Sequence, residues 1–241
     1  MRIDGRKADE LRPFTFERGF AKFAEGSCFL KIGDTHMLVT ATVEERVPPF
    51  LKGQGKGWVT AEYSMLPRSG RQRNQRELLK PNGRSMEIQR LIGRAMRSVV
   101  DLQALGERTI TLDCDAIQAD GGTRTAAITA GYVALHDALS HLVRNRSLRS
   151  LPLTEPIAAI SVGIHRGNEI LDLNYDEDSS AETDMNVVMT ESGKFVEIQG
   201  TAEEKPFSAE TLGKMLRIAK GGIDTLIKAQ HSALQGQIEK R

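Results

Sequence analysis

The chain has 241 residues, of which 39% are hydrophobic and 27% are charged, a composition that excludes global disorder. Its 33 basic and 32 acidic residues leave a net charge of +1, so any affinity for nucleic acid must come from local clusters of charge. No apolar run approaches the roughly 18 residues that span a membrane, and residues 1–10 are too polar for a signal peptide, so we expect a cytoplasmic protein without a membrane partner.

The first part of the chain predicts β-strands. Residues 27–43 contain two β-rich runs around Gly33-Asp34, a pair typical of a hairpin turn, and residues 58–65 predict a third strand. Cys28 and Cys114 both lie in apolar, strand-like runs, where a free cysteine behaves as a small buried hydrophobic residue. We therefore interpret both cysteines as packing residues.

A basic region follows. Residues 67–81 predict a long exposed loop, because they contain almost no apolar residues and their arginines are separated by Gly, Ser, Asn and Gln. Apolar residues then recur at three- and four-residue spacing, which predicts a helix that opens at Ser85 and stops before Gly106. The arginines of this region suggest one basic surface; they are Arg68, Arg71, Arg73, Arg76, Arg84, Arg90, Arg94 and Arg97.

Strands and helices mix in the remainder of the chain. Residues 109–114 predict a strand, and a helix over 123–143 follows the Gly-Gly turn. Four more strands are expected as two hairpins, at 157–165, 169–174, 185–189 and 195–199. A final helix is predicted to start at Ser208 and to be interrupted at Gly221-Gly222. Because strict βαβ alternation is missing, we predict an α+β fold, arranged as one domain over residues 1–241.

The segment from Asp120 to Thr125, Asp-Gly-Gly-Thr-Arg-Thr, has the chemistry of an anion site. The first turn of a helix presents unpaired N–H groups, and glycines let an anion approach the backbone. Thr123 adds a hydroxyl and Arg124 a guanidinium fork that can hold a phosphate by two bonds. An alternative is that Gly121-Gly122 only makes the turn and the threonine caps the helix. Local spacing does not separate the two interpretations.

Two acids of the second half are candidate metal ligands. Asp178 lies in a Glu-Asp-Ser-Ser segment, and Asp184 heads a predicted strand. Mg²⁺ and Mn²⁺ prefer carboxylate oxygens and use only one or two of them beside substrate phosphate. An unrelated pair of surface acids is the alternative. The acids between Asp172 and Asp184 together suggest one acidic pocket.

The loop arginines Arg68, Arg71, Arg73 and Arg76 are candidates for contacts with a nucleic-acid backbone. A solvated charge run or a subunit contact explains them equally well. The five histidines have no zinc-type spacing, and no Gly-x-Ser-x-Gly nucleophile motif occurs. Covalent catalysis therefore has no support in the sequence.

Five motifs in order resemble bacterial ribonuclease PH over nearly the whole chain. They are Asp4-Gly-Arg6, Asn82-Gly-Arg84 with Glu87-Ile-Gln-Arg-Leu-Ile-Gly93, Gln118-Ala-Asp-Gly-Gly-Thr-Arg124, Glu177-Asp-Ser-Ser180 and Asp184-Met-Asn-Val187. The resemblance implies a compact α+β domain of paired βαβα lobes, the ribonuclease PH-like or ribosomal protein S5 domain 2-like fold shared with polynucleotide phosphorylase and exosome ring subunits. It also implies a homo-hexamer, built as a trimer of dimers.

The resemblance also assigns residues. It implies a phosphate site at Arg84, Gly122, Thr123 and Arg124, and catalytic, metal-binding acids at Asp178 and Asp184. Asn186 stands where polynucleotide phosphorylases have a lysine. Arg68, Arg71, Arg73 and Arg76 fall in the region that family members use for transfer RNA and for subunit contact.

The activity implied is phosphate-dependent 3′-to-5′ exoribonuclease action. Inorganic phosphate is the co-substrate, Mg²⁺ or Mn²⁺ the cofactor, and nucleoside 5′-diphosphates the products of a reversible reaction. Transfer-RNA precursors are the expected partners, with ribosomal RNA ends as a second class and no DNA. The alternatives are a non-catalytic RNA-binding ring subunit of exosome type and a small-molecule phosphoryl-transfer enzyme.

Overall fold

The computed structural model of this chain describes residues 2–76, 82–203 and 205–236. Within these ranges the chain forms nine β-strands in two sheets, five α-helices and a short 3-10 helix at Pro49–Leu51. The predicted α+β class is confirmed. That residues 1–241 form one domain remains a prediction.

The first sheet contains the strands of the N-terminal half. They are β1 (Phe14–Arg18), β2 (Gly26–Ile32), β3 (Thr35–Glu44), β4 (Trp58–Met65) and β5 (Thr109–Gln118). Their order is β1-β2-β3-β5-β4, and all neighbours are antiparallel except β4 and β5, which are parallel. The predicted turn at Gly33-Asp34 and the strand over 58–65 are confirmed.

The second sheet is fully antiparallel, in the order β7-β6-β8-β9. Its strands are β6 (Ile157–His165), β7 (Asn168–Leu171), β8 (Thr183–Thr190) and β9 (Phe195–Ala202). The prediction that the second strand runs to residue 174 is wrong. Asp172 has a φ of 53°, and Asn174 accepts a hydrogen bond from the Glu177 N–H, so the chain leaves β7 and starts a helical turn.

Five helices complete the fold within the described residues. They are α1 (Gly83–Arg97), α2 (Leu102–Leu105), α3 (Thr123–Arg144), α4 (Tyr175–Asp178) and α5 (Ala209–Gln235). The first half contains the series β4-α1-α2-β5-α3, while α4 is a single turn between the two hairpins of the second half. No helix in the described ranges is long and apolar enough to cross a membrane.

The helix predicted to open at Ser85 and to stop before Gly106 is divided in the structure. The Asn82 side chain accepts from the Ser85 N–H, so α1 starts at Gly83, before Ser85. The helix ends at Arg97, and Asp101 caps the separate helix α2, which Gly106 terminates. Between the two helices Val100 forms a β-bridge with Leu153, a contact that a helical Val100 could not make.

The predicted interruption of the last helix is also wrong. Helix α5 runs without a break through Gly221 and Gly222. A Cβ atom at Gly222 would lie 3.0 Å from the Leu171 side chain, so this glycine lets α5 approach β7 closely. Its role is packing, and the helix tolerates it because the tertiary contact outweighs the low helix propensity of glycine.

Helix α3 forms the centre of the molecule. It packs against β2 and β3 of the first sheet and against β6 of the second, and it is buried on most of its surface. A helix that is apolar around most of its circumference must have neighbours on several sides. Cys28 and Cys114 lie in the same core, as predicted, and burial raises the pKa of both thiols.

The basic loop is irregular over its described part, residues 67–76, and it is mostly exposed, although Ser69 is buried. Arg68, Arg71, Arg73 and Arg76 are all exposed. The last five residues of the predicted loop, 77–81, lie outside the described residues.

Candidate active site

A cleft of about 1190 Å³ opens where the two sheets meet. The carboxyl end of β4, the first turns of α1 and α3, helix α4 and the start of β8 contribute its walls. Every predicted phosphate and metal residue lines it: Arg84, Gly122, Thr123, Arg124, Asp178 and Asp184. Segments that are about forty and sixty residues apart in the sequence therefore meet at one place.

The Gly-Gly turn depends on its glycines. Gly121 and Gly122 have φ values of +77° and +66°, in the left-handed region that favours glycine. A Cβ atom at Gly121 would lie 2.5 Å from the Leu173 carbonyl oxygen, closer than any side chain allows. Position 121 therefore requires glycine, both for its backbone conformation and for the close approach of the Leu173 carbonyl group.

The carbonyl groups of this turn are bonded on the side away from the helix. Arg12 Nη1 donates to the Asp120 carbonyl at 2.5 Å, and Thr35 Oγ1 donates to the Gly121 carbonyl at 2.7 Å. In a trans peptide the N–H points opposite to the C=O, so these bonds direct the N–H of Gly121 away from Arg12 and the N–H of Gly122 away from Thr35. Arg12 is itself fixed by two hydrogen bonds from its guanidinium to Asp172.

The helix that follows has no side-chain cap. Gly122 is the N-cap residue of α3, and no side chain of the described residues caps this end. Thr123 is the first helical residue, and its hydroxyl accepts a hydrogen bond from the Tyr63 hydroxyl at 2.8 Å. The alternative that the threonine caps the helix is therefore wrong. The first N–H groups of α3 remain available at the cleft, beside the positive end of the helix dipole.

Two guanidinium groups face the same cleft. Arg84 lies in the first turn of α1, is exposed, and makes no hydrogen bond or ion pair within the described ranges. Arg124 is mostly buried, and its Nη1 donates to Gln199 Oε1 at 2.8 Å. Two cations next to an uncapped helix end form a site that suits a phosphate group.

Asp178 and Asp184 lie close enough to influence each other. Burial raises the pKa of Asp178, against the attraction of Arg84, Arg124 and Arg12. Burial and then the charge of Asp178 raise the pKa of Asp184 to about 6, although Arg124 and Arg84 oppose this shift. The two carboxylates and the two arginines thus form one electrostatic unit.

The acids suit a divalent cation. Asp184 Oδ1 is buried and has no hydrogen-bond partner in the part of the chain that the structure describes. A buried carboxylate oxygen without a donor is costly unless a cation or water completes it. No set of three or more His, Cys, Asp or Glu residues that could hold a metal occurs in residues 2–76, 82–203 and 205–236. Two carboxylates, with waters and substrate phosphate, match the needs of Mg²⁺.

The prediction of one acidic pocket over residues 172–184 is wrong. Asp172 and Glu177 are buried and pair with Arg12 and Arg2, at 2.6 Å each. These ion pairs connect the N-terminal segment with the second half of the chain. Of the acids in the segment, Asp178 and Asp184 line the cleft.

The four loop arginines do not all reach the cleft. Arg71 and Arg76 line it, whereas Arg68 and Arg73 are exposed outside its walls. Arg71 pairs with Asp176 at 2.7 Å and lies 5.0 Å from the centre of the Tyr175 ring. These contacts connect the loop with α4, next to Asp178.

Several residues of the cleft were not predicted from the sequence. Ser161 and Asn186 are paired neighbours on β6 and β8 and are buried in its wall, and Tyr63 donates to Thr123. Ser161 interrupts the apolar run from Ile157 to Ile164, and this interruption is a signal that could have indicated a special position. The hydroxyl of Tyr63 gives no such signal, because tyrosine is common in strands.

The fold defines an α+β protein with a polar cleft between its two sheets. Two family models match it: 3′ exoribonuclease family, domain 1, over residues 10–140, and 3′ exoribonuclease family, domain 2, over residues 155–222. Both carry the family label RNase PH. The chain therefore belongs to the RNase PH family of 3′ exoribonucleases, and the fold expected from the resemblance is confirmed.

Solved structures share this fold at low sequence identity. Rice (Oryza sativa) Rrp46 superimposes with a TM-score of 0.78 at 20% identity, over 97% of this chain and 100% of that chain. The Archaeoglobus fulgidus exosome with RNA bound to the active site gives a TM-score of 0.80 at 21% identity, over 94% and 91%. An archaeal exosome core gives a TM-score of 0.74 at 20% identity, over 98% of this chain and 91% of that chain.

Proposed function

We propose that the chain is an active, phosphate-dependent 3′-to-5′ exoribonuclease of the bacterial ribonuclease PH type. The observation that carries the proposal is the meeting of Arg84, Arg124 and the uncapped end of α3 with Asp178 and Asp184 in one cleft. Phosphorolysis needs a seat for inorganic phosphate beside the RNA phosphodiester that it attacks. It also needs charge compensation for both groups, and the cleft contains suitable residues for each.

In the proposed reaction an oxygen of inorganic phosphate attacks the phosphorus of the last phosphodiester. The bond from this phosphorus to the 3′ oxygen of the preceding nucleotide breaks, which releases a nucleoside 5′-diphosphate and an RNA shortened by one residue. Arg84, Arg124 and the N–H groups of α3 bind and orient the attacking phosphate. We assign Asp184, which lines the cleft, as the source of the proton on the leaving 3′ oxygen, directly or through a water.

Asp178 and Asp184 are the residues that would hold a divalent cation, Mg²⁺ or Mn²⁺. Such an ion would supply positive charge next to the reacting phosphates. Because the reaction exchanges a phosphodiester for a diphosphate, it also runs in reverse and adds nucleotides when nucleoside diphosphates are abundant.

We propose transfer-RNA precursors as the main substrates, with ribosomal RNA 3′ ends as a second class, in the cytoplasm. Arg71 and Arg76 line the cleft and can contact the backbone of RNA that enters it, and Arg68 and Arg73 extend this basic surface outwards. We also propose a homo-hexamer arranged as a trimer of dimers. The similarity to exosome structures supports a ring.

The test is an assay with end-labelled transfer-RNA precursor and Mg²⁺, with and without inorganic phosphate. We expect nucleoside diphosphates that appear only when phosphate is present. Release of nucleoside monophosphates without phosphate would contradict phosphorolysis. Sizing of the protein in solution tests the hexamer separately.

The second candidate is a non-catalytic RNA-binding ring subunit, which the likeness to exosome proteins favours. It predicts RNA binding without release of nucleotides in the same assay. Both arginines and both acids lie in the cleft, and a subunit without catalysis has no need for this set. We therefore place the active enzyme first.

A further inference from the structure

Arg124 is held by two side chains that the proposed reaction does not use. Its Nη1 donates to Gln199 Oε1 at 2.8 Å, and Gln199 Nε2 donates to Glu87 Oε1 at 3.0 Å. The other Glu87 oxygen lies 3.7 Å from Arg124 Nη1. The three side chains form a closed triangle in which each contacts the other two.

The amide of Gln199 suits this position because it has an acceptor at one end and donors at the other. Its oxygen faces the guanidinium and its nitrogen faces the carboxylate, so the polarity of both neighbours determines its orientation. Glu87 Oε2 also forms an ion pair with Arg124 Nη1 at 3.7 Å, a distance too long for a hydrogen bond. The amide occupies one guanidinium N–H and satisfies the carboxylate.

The triangle also joins three separate elements. Arg124 lies in the first turn of α3 and Glu87 in α1, while Gln199 lies on β9 of the second sheet. Within the described residues, the bond to Gln199 is the one hydrogen bond that the Arg124 side chain makes. The direction of the guanidinium fork therefore depends on a residue of the other sheet.

We propose that Gln199, together with Glu87, is a positioning residue that directs the Arg124 guanidinium towards the phosphate. This inference rests on the proposed function, because it assumes that Arg124 binds the phosphate co-substrate. Without Gln199, Arg124 moves towards Glu87 and the affinity for phosphate falls. The residues that bind RNA are unaffected.

The first experiment measures kcat and the KM for inorganic phosphate in phosphorolysis by Gln199→Ala. We expect the KM for phosphate to rise about tenfold, which corresponds to about 1.4 kcal/mol, with a smaller change in kcat. Arg124→Ala gives the upper limit of the rise in the KM for phosphate. Binding of RNA in the absence of phosphate should stay within about twofold of the unchanged protein.

Glu197→Gln is a matched control. Glu197 lies on β9 two residues before Gln199 and accepts two hydrogen bonds from Arg94 of α1, at 2.7 and 2.6 Å. Its substitution removes a contact between β9 and α1 without touching Arg124. We expect the KM of this variant for phosphate to stay within about twofold of the value for the unchanged protein. An equal rise in both variants would show that general packing of β9 is responsible, and would overturn the proposal.

A charge exchange provides a rescue test. Gln199→Glu alone places two carboxylates together and should impair phosphate binding. Combination with Glu87→Gln restores the same three contacts. The carboxylate now at position 199 accepts from Arg124, and the amide now at position 87 donates to that carboxylate. We expect the double variant to recover most of the affinity for phosphate. A double variant no better than Gln199→Glu would refute the positioning role.

The two proposals fail in different ways. If the unchanged protein does not consume phosphate, the proposed function is wrong. If it does, and Gln199→Ala behaves like Glu197→Gln, only the positioning role of Gln199 is wrong.

Discussion

Gly121 is the more restricted residue of the Gly-Gly turn, because its φ is +77° and the Leu173 carbonyl oxygen lies 2.5 Å from the position of a Cβ atom. Gly121→Ala should therefore lower the free energy of unfolding through two effects. The left-handed conformation costs about 1–2 kcal/mol, and displacement of the neighbouring backbone costs about 1–3 kcal/mol more. Denaturant unfolding measures the sum.

Gly167→Ala is the control for the first effect. Gly167 has a φ of +72°, and nothing lies within 4 Å of the position of its Cβ atom. The free energy of unfolding of this variant should fall only by the cost of the backbone conformation, and its affinity for phosphate should not change. If the free energy of unfolding fell equally in the two variants, the contact with Leu173 would contribute nothing to the effect of Gly121→Ala.

Asp184→Asn should remove turnover and leave the fold intact, because the amide keeps the shape of the side chain but cannot release a proton or bind a cation as a carboxylate does. We expect kcat for phosphorolysis to fall by about 10²–10⁴-fold. Asp176→Asn is the control, since Asp176 lies on α4, pairs with Arg71 and is exposed. A near-normal rate for Asp184→Asn would exclude a catalytic role.

Residues of the site differ in how far the sequence reveals them. The chemistry of Gly121 to Arg124 is local, so the sequence indicated an anion site there, although it left the cap as an alternative. Arg12, Tyr63 and Gln199 act on this segment from other elements. Their contacts depend on the tertiary fold, which spacing along one chain does not contain.

At the level of elements, the pair β4 and β5 carries a cluster of like charges on the face opposite the core. Asp113 lies beside Glu62 in the register and two residues from Asp115. Burial, then the charges of Glu62 and Asp115, raise the pKa of Asp113 above its ordinary value of 3.8. The folded chain therefore favours the protonated form of this carboxyl group.

The stability of the fold therefore depends on pH through Asp113. The contribution of Asp113 to stability is fully present below pH 3.8 and is lost as the pH rises through the raised pKa. Asp113→Asn should increase the melting temperature at pH 7, by an amount equivalent to about 0.2–1 kcal/mol, and change it little near pH 3. Thermal unfolding at both pH values checks this. A stabilisation that does not depend on pH would point to a cause other than charge.

The boundaries of elements show what a sequence can specify. The strands over 58–65 and 157–165 were predicted with their observed limits, because short β-rich runs end at clear turn residues. The helix α1 was predicted too long, since its end depends on the cap at Asp101 and the bridge from Val100 to Leu153. An interaction between residues about fifty positions apart is invisible to a periodic pattern.

At the level of the whole molecule, α3 is shared by both sheets, so neither half can bury its apolar surface alone. We expect the full chain to unfold in one cooperative transition in calorimetry, and a fragment of residues 1–150 to lack a cooperative transition. The fragment should bind a hydrophobic dye, because the face of α3 that contacts β6 would be exposed. A fragment with its own sharp melting transition would contradict the prediction of one domain over residues 1–241.

The burial of the two cysteines has a practical consequence for observing the protein at work. Cys28 and Cys114 are the whole complement of thiols in the sequence, and both are enclosed with a raised pKa. Maleimide dyes react with exposed thiolates, so the native chain should stay unlabelled. A single cysteine introduced at the exposed residue Arg73 would then carry the only fluorophore. Its emission would test whether RNA reaches the loop without any need to remove the native cysteines.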